Sequence, residues 1–328
     1  MSRYIARRLI LGLFTLWAIS VLTFAIIQLP PGDFVTTYIA KVGESGGDAS
    51  AAAVERLRAA YGLDQPVSVQ YLKWINQVVH GNLGTSLSLR RPVTDVIGDR
   101  IVLTAVVSLA AIVLTWVLAL PIGIYSAVRR YSAGDYVLTF LGFLGLAIPN
   151  FLLALALMYF AFSVLGLSVG GLFSPQYETA AWSMAKVLDL LKHLAIPAVV
   201  LGASGTAEVI RVMRANLLDE LRKPYVVTAR AKGLPEWRLI VKYPVRVAMN
   251  PMASEIGFLF PHVVSGGTIV AVVLSLPTVG PVLLAALQAQ DMFLAGAIIL
   301  LVGVLTVVGM LVSDLIVMLL DPRIRHAG

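Results

Sequence analysis

The sequence of 328 residues contains no cysteine. It therefore has no disulfide framework, no thiol nucleophile and no thiolate ligand for a metal. Its four histidines are scattered, and none lies in the H-E-x-x-H pattern of a zinc hydrolase. The phosphate-binding run G-x-x-x-x-G-K-[ST] is absent as well. We therefore expect the chain to hold no metal or cofactor of its own, and any ATP hydrolysis to come from partners.

Charged residues are also scarce. They make up 13% of the chain, whereas soluble domains carry about 25%. Hydrophobic residues reach 59%, against roughly 45–50% in soluble domains. A soluble core cannot hide this much apolar surface, so lipid must replace water around much of it. In a membrane protein, the net charge of +7 indicates which loops stay in the cytoplasm and does not call for a nucleic-acid partner.

Long apolar runs, in contrast, are abundant. A helix needs about 20 apolar residues to cross the hydrocarbon layer. We expect the first apolar run to be a retained helix, because it is longer than a typical signal region and is not followed by an A-x-A cleavage site. Six windows are long enough to span: Leu9–Leu29, Ile101–Val128, Tyr136–Leu165, Leu194–Val212, Ala248–Leu276 and Met292–Leu320.

The basic residues predict the orientation of these helices. If the N-terminus is cytoplasmic, the segments on that side hold 16 of the 25 lysines and arginines. An excess of basic residues is typical of cytoplasmic loops. We therefore expect both termini and the basic loop Arg211–Arg246 to lie in the cytoplasm.

The segment between the first two windows, Pro30–Arg100, is predicted to lie outside and to be folded. It is neutral, with seven basic and seven acidic residues. Residues 51–60 form one candidate helix, and Leu72, Ile75 and Val79 recur at helical spacing in a second. The predicted architecture is an all-α integral membrane protein of six transmembrane helices with a small helical extracytoplasmic domain. Its three parts are the N-terminal tail with helix 1 (1–29), the extracytoplasmic domain (30–100) and the core domain (101–328) with its cytoplasmic loop (215–246).

The cytoplasmic loop contains an unusual basic stretch, YVVTARAKGLPEWRLI, at residues 225–240. Pro224 suits the first turn of a helix, where its missing N–H has no partner to lose. Gly233 supplies the left-handed residue that ends such a helix. Pro235 and Glu236 then begin a second helix, with an acid that complements the helix dipole. The pattern predicts two short helices that together form an elbow projecting into the cytoplasm.

The side chains of this stretch favour a contact with a partner. Ala229 and Ala231 are small enough to let the first helix enter a groove, and Arg230 and Lys232 provide charges that can pair. The plainer alternative is a positively charged inside loop that touches only lipid headgroups. That alternative explains the charge but not the helix–Gly–helix pattern or the small residues.

Thr228-Ala-Arg-Ala-Lys-Gly233, followed by Pro251, resembles the cytoplasmic "EAA" loop of permease subunits in binding-protein-dependent ABC importers. More narrowly, the chain resembles the B-type permease of dipeptide and oligopeptide importers. Val227 stands at the acidic first position of the general pattern, so a Glu-dependent salt bridge to an ATPase is not expected from it. The resemblance covers nearly the whole chain through further motifs in the same order: Tyr4-Ile-Ala-Arg-Arg8, Leu29-Pro-Pro-Gly-Asp33, Tyr61-Gly-Leu-Asp-Gln-Pro66 with Gln70-Tyr-Leu-Lys-Trp74, Gly81-Asn-Leu-Gly-Thr-Ser86, Ile148-Pro-Asn-Phe151, Ser275-Leu-Pro-Thr-Val-Gly280 and Leu320-Asp-Pro-Arg323.

This resemblance implies a transport subunit of the bacterial inner membrane that is not itself an enzyme. Its expected partners are a second, C-type permease, one or two cytoplasmic ATPases that bind ATP and Mg²⁺, an extracytoplasmic substrate-binding protein and the lipid bilayer. Its expected substrates are dipeptides, oligopeptides or a related cargo such as haem or a nickel chelate. The resemblance places the ATPase-coupling helix on eight residues: Tyr225, Thr228, Ala229, Arg230, Ala231, Lys232, Gly233 and Leu234.

Two other groups of residues are candidates under the same resemblance. The fifth window is rich in Pro and Gly, and such breaks are tolerated where a helix lines a cavity. It carries three pathway candidates: Glu255, Phe258 and His262. Glu255 is either a pathway residue or a carboxylate paired near the inner surface, for example with Arg246. The extracytoplasmic domain carries four candidates for contact with the binding protein: Tyr61, Asp64, Gln65 and Gln70.

Several plainer interpretations stay open. The aromatic residues between Tyr61 and Trp74 are expected to form a small core rather than a contact surface. Glu208 is expected to pair locally with Arg211 or Arg214, which follow it at helical spacing. Asp314, deep in the last window, is expected to bond a neighbouring helix.

Two other function classes compete with this interpretation. Gly202-Ala-Ser-Gly205 matches the G-x-S-G of rhomboid-type intramembrane proteases, and His262 could serve as the base. Small residues of this kind are also common where membrane helices pack together. An ion-coupled secondary transporter would need no ATPase, but it usually shows broken helices in both halves, whereas this chain shows one only in the second.

Overall fold

The computed structural model describes residues 2–28, 64–166, 170–255 and 267–320, with single residues at 35, 39, 55, 58, 59, 62 and 261. Three predicted site residues lie outside the described residues: Tyr61, Phe258 and His262. The side chain of Glu255 and most of the predicted helix at 51–60 also lie outside them. The described residues form helices and no β-strand beyond an isolated bridge between Thr85 and Pro92. The predicted all-α class is confirmed.

The long described helices lie in the apolar windows, and capping residues mark where some of them begin. Ser132 and Ser183 each accept a hydrogen bond from a backbone N–H in the first turn of the helix that follows. In chain order, the helices are α1 (Ser2–Gln28), α2 (Val67–Val79), α3 (Val93–Val128), α4 (Ala133–Ala147), α5 (Asn150–Leu165), α6 (Met184–Glu220), α7 (Pro224–Ala231), α8 (Glu236–Lys242), α9 (Pro244–Ala248), α10 (Asn250–Glu255), α11 (Thr268–Val273), α12 (Val279–Gln288) and α13 (Met292–Leu320).

Four of the described helices are long and apolar enough to cross a membrane: α1, α3, α6 and α13. The pair α4 and α5 together passes the same test, but its two halves are bent by 102°. The bend lies at Ile148, which is extended (φ −88°, ψ 122°) because the following Pro149 disfavours a helical conformation before it. The window Tyr136–Leu165 is therefore broken rather than straight.

The predicted window Ala248–Leu276 is not one continuous helix either. It contains the last residue of α9, all of α10 and all of α11, and its middle lies outside the described residues. By length and composition the described residues therefore provide four spans, or five if the bent pair is one. The count of six stays a prediction.

The chain divides into two compact units. The first contains residues 103–277 with 1–4 and 308–328, and the second contains residues 5–102 and 278–307. In the first unit, α6 packs against α4, α5, α9 and α11. The basic loop follows directly after the end of this long helix.

Small residues let the helices of the first unit approach closely. Gly202 lies against α3, where the Thr115 hydroxyl donates to its carbonyl oxygen at 3.2 Å. A Cβ atom at Gly202 would lie 3.0 Å from Thr115 Oγ1, and one at Gly145 would lie 2.8 Å from the carbonyl oxygen of Ala203. Gly202 and Gly205 both face Thr115, so the Gly-Ala-Ser-Gly run serves helix packing.

The second unit has an aromatic core. Trp74 of α2 is buried with Phe24 of α1, and Tyr71 packs beside them. The Ser20 hydroxyl lies 2.8 Å from the Tyr71 hydroxyl. The expectation that the aromatics of this segment form a core is confirmed for Tyr71 and Trp74, and that core also includes α1.

The loop before α3 is held to the start of α13 by a buried carboxylate. Asp291 is fully buried, and its Oδ2 accepts hydrogen bonds from the hydroxyl of Ser86 (2.6 Å) and from the N–H and hydroxyl of Ser88 (2.9 and 2.8 Å). Its Oδ1 accepts from the backbone N–H of Leu294, which caps the helix. A buried carboxylate with four donors is satisfied without a counter-ion.

Candidate functional site

The basic stretch folds as predicted into two short helices joined at a glycine. Lys223 is extended and Pro224 begins α7, as expected for a proline in a first turn. Lys232 ends the helix and Gly233 follows with φ +77°, which is the left-handed region that favours glycine. Pro235 is extended and α8 begins at Glu236. We call residues 224–242 the elbow.

The inner face of the elbow is seated on the end of α6. Val226 of α7 and Leu239 of α8 are fully buried, and they share a core with Met213 and Leu217 of α6, which are also fully buried. Full burial of side chains of this size contributes about 1.5–3 kcal/mol each. The elbow is therefore packed on the long helix and is not a loose loop.

A hydrogen bond reinforces this seat. The Tyr225 hydroxyl donates to Oε2 of Glu220, in the last turn of α6, at 2.6 Å. Ala229 is buried beside Val226, whereas Leu234 is half-buried and packs at the edge of the same core. Three of the eight predicted coupling residues, Tyr225, Ala229 and Leu234, thus hold the elbow in place.

The outer face of the elbow carries the other predicted residues. Thr228, Arg230, Ala231, Lys232 and Gly233 are all exposed. Their exposure leaves them accessible to a partner, and their predicted role in contact with an ATPase stays a prediction.

Arg230 is paired within the elbow. Its Nη2 donates to Oε1 of Glu236 at 2.6 Å and its Nε donates to Oε2 at 3.1 Å, so the contact is bidentate and bridges Gly233. The guanidinium of Arg230 lowers the pKa of Glu236 from its ordinary value, and Glu236 in turn raises the pKa of Arg230. The sequence predicts that Arg230 offers its charge to a partner, whereas in the structure this charge is paired within the elbow. The signal in the sequence is Glu236, which follows Arg230 by six residues on the other side of Gly233.

A second bidentate pair ties α6 to the start of α4. Arg214 donates through Nε and Nη2 to the two carboxylate oxygens of Asp135, at 3.0 and 2.8 Å. Asp135 is buried, and its Oδ2 also accepts from the backbone N–H of Tyr131. The expected pairing of Glu208 with Arg211 or Arg214 is therefore wrong, because Arg214 binds Asp135 and the described ion pairs include none between Glu208 and Arg211. The Ser132–Asp135 helix start is visible in the sequence, but its partner is not.

The predicted extracytoplasmic contacts separate into exposed and buried residues. Asp64 is exposed and Gln65 is half-buried. Gln70 is buried, and its Nε2 donates to the carbonyl oxygen of Gln65 at 2.8 Å while its Oε1 accepts from Gln28 at 3.3 Å. Gln70 therefore organises the start of α2 and has little surface to offer a partner.

The described residues do not test the pathway candidates. Glu255 is the last residue of α10, and its side chain lies outside the description together with Phe258 and His262. Nearby, the Ser313 hydroxyl of α13 donates to the carbonyl oxygen of Ala253 at 2.6 Å, which fixes α10 against the last helix.

Two family models match the chain. The first, described as the binding-protein-dependent transport system inner membrane component, matches residues 119–326 and includes the elbow. The second, described as the N-terminal part of a membrane component of the same transport systems, matches residues 1–110.

Similar proteins match over full length. A Brucella ovis protein named as a peptide permease is 36% identical over 327 residues, 99% of each chain. The oligopeptide transport system permease protein AppB of Bacillus subtilis is 34% identical over 328 residues, 99% of this chain and 100% of its own. The dipeptide transport system permease protein DppB of Escherichia coli is 32% identical over 342 aligned positions, 99% of each chain.

Proposed function

Because the chain belongs to the family of binding-protein-dependent transport system inner membrane components, we propose that it is the permease subunit of an ATP-driven peptide importer. The names of its relatives support peptides, from dipeptides to oligopeptides, as the cargo class. A related cargo such as haem or a nickel chelate is the alternative within the same function. A second permease subunit completes the translocation pathway, because four to six helices are too few to enclose a peptide.

The main support for this proposal is the packing of the elbow against α6. A loop that only held charge near the membrane would not need Val226 and Leu239 fully buried against Met213 and Leu217. Packed interiors transmit displacement because they resist compression. A push on the exposed side of α7 therefore reaches α6, a candidate span of 37 residues.

The proposed cycle follows from that mechanical link. One or two cytoplasmic ATPase subunits bind ATP and Mg²⁺. They also bind the elbow of this chain and the corresponding loop of the second permease. Their closure draws the two elbows together and tips the spans between inward-facing and outward-facing states. A binding protein delivers the peptide on the extracytoplasmic side, and both termini of this chain lie in the cytoplasm.

The serine-protease alternative receives no support from the described residues. The expectation that helix breaks occur only in the second half is wrong, because α4 and α5 are bent by 102° in the first half, so helix breaks alone do not separate a permease from an ion-coupled transporter. In the Gly-Ala-Ser-Gly run, both glycines face Thr115 of α3, as expected for close helix packing. Replacing Ser204 by Ala would abolish the activity of a serine protease, whereas we expect it to leave peptide uptake unchanged.

Co-purification from native membranes tests the proposed function. The tagged chain should bring down a second permease and at least one ATPase, and a binding protein should be captured when the complex is held with non-hydrolysable ATP. Mass spectrometry identifies these partners and the ligand of the binding protein. A chain that purifies alone, yet supports uptake driven by a proton gradient, would contradict the proposal.

A further inference from the structure

The exposed side of α7 carries few free hydrogen-bonding groups. Val227 is 57% exposed although it lies in a basic loop. Thr228 is exposed too, and its hydroxyl donates to the carbonyl oxygen of Pro224 at 3.0 Å, so it has no proton left to donate to a partner, while its methyl group adds apolar surface. Ala231 follows Val227 by one turn and adds another small apolar side chain. These three residues form what we call the apolar ridge.

The charge of Arg230 is already paired within the elbow. Two of the five N–H donors of Arg230, on Nε and Nη2, are committed to Glu236, and the planar fork of the guanidinium fixes its orientation. The pair spans the turn at Gly233 and so joins the end of α7 to the start of α8. An exposed pair of this kind adds little to stability, but it restricts the angle between the two helices.

Lys232 differs from Arg230 in this respect. It is exposed at the end of α7 and forms no ion pair with any residue that the structure describes. Its ammonium group therefore remains available to a carboxylate on another subunit.

We propose that Arg230 is a positioning residue that acts through Glu236 to hold the angle of the elbow. The surface given to the ATPase is then the apolar ridge of Val227, Thr228 and Ala231, flanked by the ammonium of Lys232. This inference rests on the proposed function, and it specifies the chemistry of the partner. The ATPase cleft is apolar where it receives α7, with an acidic side chain opposite Lys232 and none required opposite Arg230.

A charge swap separates positioning from direct contact. The assembled transporter is purified through this chain, and the ATPase retained with it is measured for Arg230→Glu, Glu236→Arg and the double variant. Each single change places like charges together, and we expect retention to fall about fivefold. The double variant restores an opposite-charge pair and should return to within about twofold of the unchanged complex. A double variant as weak as Arg230→Glu would overturn the positioning role.

The apolar ridge is tested by the same measurement. Val227→Asp places a charge against an apolar cleft, where burial without a partner is costly, and we expect about a tenfold loss of retained ATPase. Arg238→Glu, on the exposed side of α8, controls for the loss of positive charge from the loop and should change retention less than twofold. Undiminished retention in Val227→Asp would refute the apolar ridge.

These experiments distinguish failure of the inference from failure of the proposed function. If the unchanged chain retains its ATPase but the swap does not rescue, only the inference falls. If the unchanged chain retains no ATPase, both fall. Membrane insertion and unfolding temperature are measured for every variant, and Arg230→Gln and Glu236→Gln provide milder changes if a reversal reduces expression.

Discussion

At the scale of single residues, two arginines of the first unit are each held by a carboxylate in a bidentate contact. Arg230 binds Glu236 across a turn on the surface, and Arg214 binds the buried Asp135 of another helix. Surface ion pairs add little stability, whereas breaking a buried pair leaves an unpaired charge in a dry site. The two contacts therefore differ in what they control: the first sets a local angle, and the second joins two helices.

The elbow pair predicts a particular pH dependence. Arg230 lowers the pKa of Glu236 from its ordinary value, so the pair stays charged at neutral and mildly acidic pH and is lost only as the pH falls through the lowered pKa. Retention of the ATPase should therefore be flat from about pH 8 to pH 5.5 and should fall at more acidic pH. Glu236→Gln should be weaker at pH 7 and lack this acid transition. A midpoint near pH 6.5 in the unchanged complex would instead indicate a histidine.

The buried pair predicts a loss of stability. Replacing Arg214 by Ala leaves the Asp135 carboxylate buried without its main partner, which should cost about 3 kcal/mol. The thermal unfolding of the purified complex measures this change. Arg211→Ala, an exposed arginine one turn earlier on α6, is the matched control and should have little effect. Equal behaviour of the two variants would show that the contact with Asp135 is dispensable.

Among the helices, the residues that begin and end α7 were sufficient to predict the two short helices of the elbow correctly. Pro224 and Gly233 act through local backbone preferences, so their effect can be read from the sequence alone. The partners of Arg230 and Arg214 could not be predicted in the same way, because each depends on how two helices meet. The break before Pro149 was also missed, since the residues around it are as apolar as the rest of the window.

Gly233 predicts a separation of coupling from assembly. Among the described residues, none apart from the two chain neighbours has an atom within 4 Å of a Cβ built at this position, so the backbone conformation at φ +77° is what opposes a side chain. Gly233→Val should strain the turn by about 1–2 kcal/mol and allow ATP hydrolysis without matched uptake. Gly233→Asn is the control, because asparagine tolerates the left-handed region. The ratio of peptide transported to ATP hydrolysed measures the effect, and unchanged coupling in Gly233→Val would contradict it.

Gly145 predicts how closely α4 and α6 must approach. A methyl group there would lie 2.8 Å from the carbonyl oxygen of Ala203, which belongs to the backbone and cannot turn aside. Gly145→Ala should therefore force the helices apart at a cost of about 1–3 kcal/mol. Gly142→Ala is matched to it, because its nearest neighbour would be Ile210 Cδ1 at 3.5 Å, an ordinary contact. Calorimetry of both variants should show destabilisation only for Gly145→Ala.

At the scale of the whole molecule, composition predicted the membrane environment and the structure shows where apolar surface remains exposed. Leu13 and Phe14 of α1 are 67% and 62% exposed, and Phe140 of α4 is 62% exposed. Surfaces of this kind suit lipid or a second permease. Hydropathy identifies membrane-spanning helices because the length of an apolar run can be read directly from the sequence. It did not predict that Gln70 would be buried, because that depends on Gln28 and Gln65.

We propose that this chain couples a peptide pathway to the ATP hydrolysis of partner subunits. The most direct test measures peptide uptake into liposomes holding either the chain alone or the complex purified through it, with ATP supplied on the side of the elbow. We predict no uptake by the chain alone and ATP-dependent uptake by the complex, abolished by a non-hydrolysable nucleotide. Uptake by the chain alone at the rate of the complex would contradict the account.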